Sequence, residues 1–155
     1  MQVETVSAWE PRGLGDPESL PESGIVVDVR DYPLIVTHIR GKVDDAQLEA
    51  YLHCLEGLER APRRAVMVVH MTHAMPFTAA QRKRQADWLN ARDPELMERS
   101  PGVAFVVTNA LIRGALRAVF WIARPRHPIS VEPTLQAAKR WALGRLELGN
   151  ASSGG

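Results

Sequence analysis

Histidine and cysteine are the residues of this 155-residue chain with the widest chemical reach. His70 and His73 form an HxxH pair in the stretch HMTHAMPFTAAQRKR (70–84), and His38 falls in an apolar run that could lie beside them as a neighbouring strand. Imidazoles bind zinc and related metals when three or four ligands converge. No Asp, Glu or Cys stands near the pair to complete a set, and a strand residue followed by a loop residue need not aim at one point. We therefore expect neither metal nor cofactor. Cys54 is the only cysteine, so an intrachain disulfide and a Cys-pair zinc site are both excluded, and a reducing, cytoplasmic setting is the natural expectation. His53 and Cys54 are adjacent in a helical run and so point in different directions.

The hydroxyls of the same stretch offer different chemistry. Thr78 and Gln81 have the spacing of a capping box, in which a threonine side chain and a glutamine reciprocally satisfy helix-end N–H groups. Arg82, Lys83 and Arg84 follow directly. A phosphate on Thr78, or on nearby Thr72, would add about −1.5 to −2 charge near a helix amino terminus beside three cations, and would change a contact surface. Simple capping explains Thr78 equally well.

No enzyme motif accompanies these groups. The chain has no GxSxG elbow, no GxxxxGK[ST] loop and no GxGxxG turn, and the acidic pair Asp44 and Asp45 sits where a helix start would use it as a cap. We expect no catalysis. Formal net charge is +1, so nucleic-acid binding is not expected either. A smaller basic surface for an anionic partner remains open, made of Arg82, Lys83 and Arg84 with Arg113, Arg117, Arg124 and Arg126.

The elements that must carry these residues alternate. GIVVDVRDY (24–32) and PLIVTHIRGKV (33–43) read as two strands joined by a tight link near Asp31 to Pro33. Leu48, Tyr51, Leu52, Leu55 and Leu58 fall at helical spacing from Asp45 to about Arg60. AVMVVHM (65–71) is a continuous apolar run, as expected of a central strand covered on both faces. A capped helix to about Arg92 follows, with a thin apolar side of Ala79, Ala80, Ala86, Trp88 and Leu89. GVAFVVTN (102–109) is a further strand, ALIRGALRAVFWIA (110–123) a helix, HPISVE a short last strand, and PTLQAAKRWALGRL the final helix.

In the 110–123 helix, Leu111, Ala115, Ala118, Val119 and Ile122 make one stripe, expected to face the core. Trp121 either packs under the final helix beside Trp141 or, with Phe120, extends an exposed patch of the kind that marks an interface.

The order is ββαβαβαβα: a single-domain α/β protein with a mixed, mostly parallel sheet of about five strands and four helices, one edge strand running against the others. Residues 1–23, acidic with Trp9 as their main apolar anchor, read as a flexible arm; 24–147 form the domain, and 148–155 read as a flexible tail. The amino terminus has no secretory leader pattern, and no apolar run reaches the ~18 residues of a membrane span.

Across 24–147 this order and these element lengths resemble the STAS domain, shared by sulphate transporters and anti-sigma factor antagonists, and the wider group that includes CRAL-TRIO lipid-binding folds. The resemblance implies a bacterial-type regulatory or scaffolding role in signalling, usually without catalysis. In phosphorylated members the switch is a Ser or Thr opening the helix after the third strand, in a motif like DSSG. Thr78 takes that place here, while HMTHAMPFTAA lacks both the acidic residue and the SSG stretch.

The expectation is therefore a non-catalytic STAS-like domain acting through a protein partner or its own second copy. Its surfaces would be the 72–84 junction (Thr72, Thr78, Arg82, Lys83, Arg84) and the 110–126 helix (Arg113, Arg117, Trp121). The alternatives are a small-molecule or lipid carrier and an unrecognised small enzyme.

Overall fold

The computed structural model describes residues 23–59, 64–92, 101–123 and 128–153. Strand β1, Gly24–Asp28, is buried along its whole length and turns into β2, Leu34–Gly41, through bonds from the Tyr32 amide to the Val29 carbonyl (3.1 Å) and from the Leu34 amide to the Asp31 carbonyl (2.9 Å). The Tyr32–Pro33 peptide in this turn is cis. The two strands pair antiparallel, Gly24 opposite Arg40 and Asp28 opposite Val36.

Helix α1, Asp45–Glu59, leads to β3, Val66–Ala74, and α2, Ala79–Asn90, leads to β4, Val103–Val106. Helix α3, Ala110–Ala123, leads to β5, Ile129–Glu132, and α4, Leu135–Ser153, follows it. The five strands lie in sequence order, and every pairing after the first is parallel. This is the expected single-domain ββαβαβαβα arrangement.

Alternation along the strands divides the core in two. Ile35 and Ile39 of β2 and Val69 of β3 join Ile25, Val27, Leu48, Tyr51, Leu52 and Trp88 on the face covered by α1 and α2. Leu34, Val36, Val66, Val68, Ala104 and Val106 meet Ala138 and Ala142 of α4 on the other. The small side chains of α4 let its backbone lie close against the strands, and Trp141 closes over Gly102: a β-carbon added at Gly102 would come within 2.8 Å of the indole.

Three boundaries differ from the sequence reading. Strand β3 continues to Ala74, so Thr72 and His73 belong to the strand and not to a loop; a bulge in β2 between His38 and Arg40 shifts the register and lets Arg40 pair His73 and Gly41 pair Ala74. Strand β1 ends at Asp28, where the turn begins. Helix α4 runs through Ser153, past the boundary expected at 147. The expected arm lies outside the described residues apart from Ser23, and so do Arg124 and Arg126.

The Gly102 approach is directly testable. Gly102→Ala should lower stability by about 1–3 kcal/mol, the usual cost of overpacking a close contact, because both the indole and the Pro128 carbonyl at 3.3 Å must give way. Urea denaturation measures it, and an unchanged midpoint would show that Trp141 moves freely.

Candidate functional site

The β3–α2 junction is built around two reciprocal caps. At α2 the Thr78 hydroxyl accepts from the Gln81 amide (3.1 Å) while the Thr78 amide donates to Gln81 Oε1 (3.0 Å), the box expected from sequence. At α1 the same geometry recurs: Asp44 accepts from the Gln47 amide (2.7 Å), and its own amide donates to Gln47 Oε1 (2.9 Å). Gln81 does more than cap. Its Nε2 donates to the Val43 carbonyl (2.8 Å) and to Asp45 Oδ1 (3.1 Å), so the buried amide ties the start of α2 to the start of α1.

The cations beyond this cap have intramolecular partners. Arg84 grips Glu49 of α1 through Nε at 2.5 Å and a second bond at 3.0 Å, Lys83 pairs Asp87 one turn on at 2.7 Å, and Arg82 donates to the Phe77 carbonyl at 2.8 Å. Exposed pairs of this kind hold loosely, worth about 0–1 kcal/mol each, so a charged partner can compete for them. Thr78 itself is exposed. The Thr72 and His73 side chains lie outside the described set.

A second polar group occupies the α4 face of the sheet, where β1 and β2 lead away from the helix. The Arg30 guanidinium forks onto Asp28, Nε lying 3.0 and 3.1 Å from its two oxygens and a terminal nitrogen 2.6 Å from Oδ2, and the Arg30 amide adds a bond of 3.0 Å. Burial raises the pKa of the Asp28 carboxyl, but these bonds outweigh it and leave the group below its ordinary value. Across β2, His38 Nδ1 lies 3.1 Å from His70 Nδ1, with the rings edge to face. The pair shares one proton between two nitrogens, so at least one ring there must be neutral. Burial first, and His70 next, push the His38 pKa down to about 4 against the opposing pull of Asp28, with Lys139 and Arg30 adding to the depression.

Sequence reasoning placed His38 on a strand neighbouring His70 but did not show their contact, which depends on strand register; the parallel β2–β3 pairing sets them opposite each other. Among the described residues no group of three His, Cys, Asp or Glu side chains converges on one point. Cys54 is half-buried against the core, and burial raises its thiol pKa, the opposite of the shift that makes a cysteine reactive.

Helix α3 is the third feature. Asn109 caps it, accepting from the Leu111 and Ile112 amides. Arg113 donates to the Val107 and Thr108 carbonyls at 3.0 and 3.2 Å, and Arg117 to the Val131 carbonyl of β5 at 2.6 and 3.2 Å. Phe120 stacks on Phe105 with ring centroids 5.7 Å apart. The inward strip of the helix is therefore Arg113, Leu116, Arg117 and Phe120. The stripe expected in the core faces outward instead: Leu111 is 83% exposed, Ile122 75% and Val119 55%, with Ala115 and Ala118 between them. Trp121 is 76% exposed and does not pack beside Trp141. The cause is position, since α3 lies at the β5 edge of the sheet and finds room beneath it only for a narrow strip.

No protein-family model matches the chain, and no curated protein does. A solved structure does: an uncharacterised protein of the DUF3478 family from Shewanella loihica, described as having a SpoIIAA-like fold. It aligns at 15% identity with a TM-score of 0.59, over 80% of this chain and 98% of that one. At that identity the likeness concerns the fold, and the fold is the STAS-like one expected. Among the described residues no helix is long and apolar enough to cross a membrane.

Two measurements check this geometry. An unfolded His38 titrates near 6.5 and the folded one near 4, so as pH falls through that interval the unfolded chain takes up the proton first and the native state loses stability. After allowance for partial exposure the loss is on the order of 1–2 kcal/mol. Denaturant midpoints at pH 7.5 and 4.5 should diverge less in His38→Gln than in the parent chain; equal losses would remove His38 from the account. Separately, Gln81→Ala leaves the buried Val43 carbonyl without its donor and removes half of the cap, and should cost about 1–3 kcal/mol in the same assay.

Proposed function

We propose that this chain is a regulatory or scaffolding domain that works by protein contact and carries out no chemistry of its own. The observation that carries this reading is the outer face of α3, where Leu111, Ile112, Val119, Trp121 and Ile122 present apolar surface to solvent on a helix anchored to the sheet through its other side. Contiguous apolar surface of this extent marks interaction sites on folded domains. A solvent-facing tryptophan beside exposed aliphatic side chains has the composition of an interface.

The ionisable groups among the described residues point the same way. The basicity of His38 is depressed by burial and not tuned toward neutrality, the Cys54 thiol is shifted away from its reactive form, and Asp28 is neutralised by Arg30. The Thr78 junction supplies a secondary surface. Its hydroxyl is exposed at a capped helix start with Arg82 one turn along, so added negative charge there would alter the contact surface while keeping the cap.

The test is affinity purification from the native host with the full chain, its Trp121→Asp variant and its Thr78→Asp variant. A specific partner should be retained by the parent and lost by at least ten-fold with Trp121→Asp, while circular dichroism stays unchanged because the side chain is exposed. Retention of all partners by both variants would refute the contact reading.

A further inference from the structure

The outer face of α3 reads the same in both directions. Leu111, Ala115, Ala118 and Ile122 follow one another at separations of four, three and four residues, large at the ends and small in the middle. At 3.6 residues per turn these four lie within a strip about 60° wide. Rotation about a two-fold axis between residues 116 and 117 sets Leu111 against Ile122 of a second copy and Ala115 against Ala118, while Ile112 and Trp121, about 90° from the strip on opposite sides, flank the contact. Large meets large at the two ends and small meets small at the centre.

We infer that α3 is a homodimerisation helix, pairing antiparallel with α3 of a second copy of this chain; the inference rests on the contact reading above and names its partner. Three observations favour a second copy over another protein. A two-fold contact must be self-complementary, and this pattern is. Between Ala110 and Ala123 there is no acidic residue or lysine, and both arginines are turned onto backbone carbonyls, so the face offers no charge to select a polar partner.

The third observation is area. Leu111, Ile112, Val119, Trp121 and Ile122 are each more than half exposed, a patch of the few-hundred-Å² scale that marks interfaces on folded domains. The centre is also shaped for close approach. With Ala115 and Ala118 facing each other the two helix axes can come to about 8 Å, the near limit of helix packing.

Sedimentation equilibrium of the full chain over a concentration range of about a hundred-fold should report a dimer. Ala118→Glu, exposed and therefore harmless to the fold, should make it monomeric with an unchanged circular dichroism spectrum. Mixing the single variants Ala115→Cys and Ala118→Cys with glutathione disulfide should yield the 115–118 cross-link in preference to either symmetric product. A monomer at every concentration, a dimer indifferent to Ala118→Glu, or a cross-link in another register overturns the inference. If the chain is monomeric yet Trp121→Asp and Ala118→Glu lose the same host protein, self-pairing fails and the contact reading stands. A monomer that instead binds phosphatidylglycerol vesicles through Trp121 and loses no protein partner overturns both.

Discussion

Handedness governs this structure. The strands lie in sequence order, so each crossover steps across the sheet in the same direction, and a right-handed connection then places each crossing helix on the same face. Helices α1 and α2 fill the part of that face over β1, β2 and β3, and α3 is left at the β5 edge. Helix α4 takes the opposite face, lying chiefly on β3, β4 and β5. Both candidate surfaces follow from this division. Where α4 leaves β1 and β2, polar side chains gather as Asp28, Arg30, His38 and His70; where α3 overhangs the edge strand, apolar ones stay in water.

What the sequence revealed follows the range of each interaction. The Thr78 and Gln81 box was legible because all of its atoms lie within one helical turn, and it forms as expected. The further bond from Gln81 to Val43 was not, since those residues are 38 positions apart and only the packing of α2 on α1 joins them. The His38 and His70 contact was hidden for a similar reason. A parallel pair is separated by a whole crossover, and its register emerges from the packing of α1 and not from any local signal. The length of β3 was misjudged with it, because the bulge in β2 extends pairing through residues whose own composition suggests a loop.

Helix α3 shows a different limit. Its periodicity identified both the helix and the stripe, yet the stripe points away from the sheet. A pattern of apolar residues states that a face seeks cover, and does not state whether the cover belongs to the same molecule. Here a second strip, Arg113, Leu116, Arg117 and Phe120, makes the intramolecular contact, and two of its four residues are arginines that a hydropathy pattern counts against burial. Their aliphatic stems and backbone-directed guanidiniums dock the helix while its most apolar side remains outside.

Arg117 has one more consequence. Strand β5 is the last in the sheet, and its outer side presents backbone groups with no further strand to receive them; the Val131 carbonyl is among them. By holding that carbonyl, the guanidinium occupies a position where the backbone amide of an incoming strand would bind. Such a contact disfavours sheet extension at this edge and its attendant aggregation. The residue that moors the most apolar helix of the molecule to the fold thus also guards one of the two edges of its sheet.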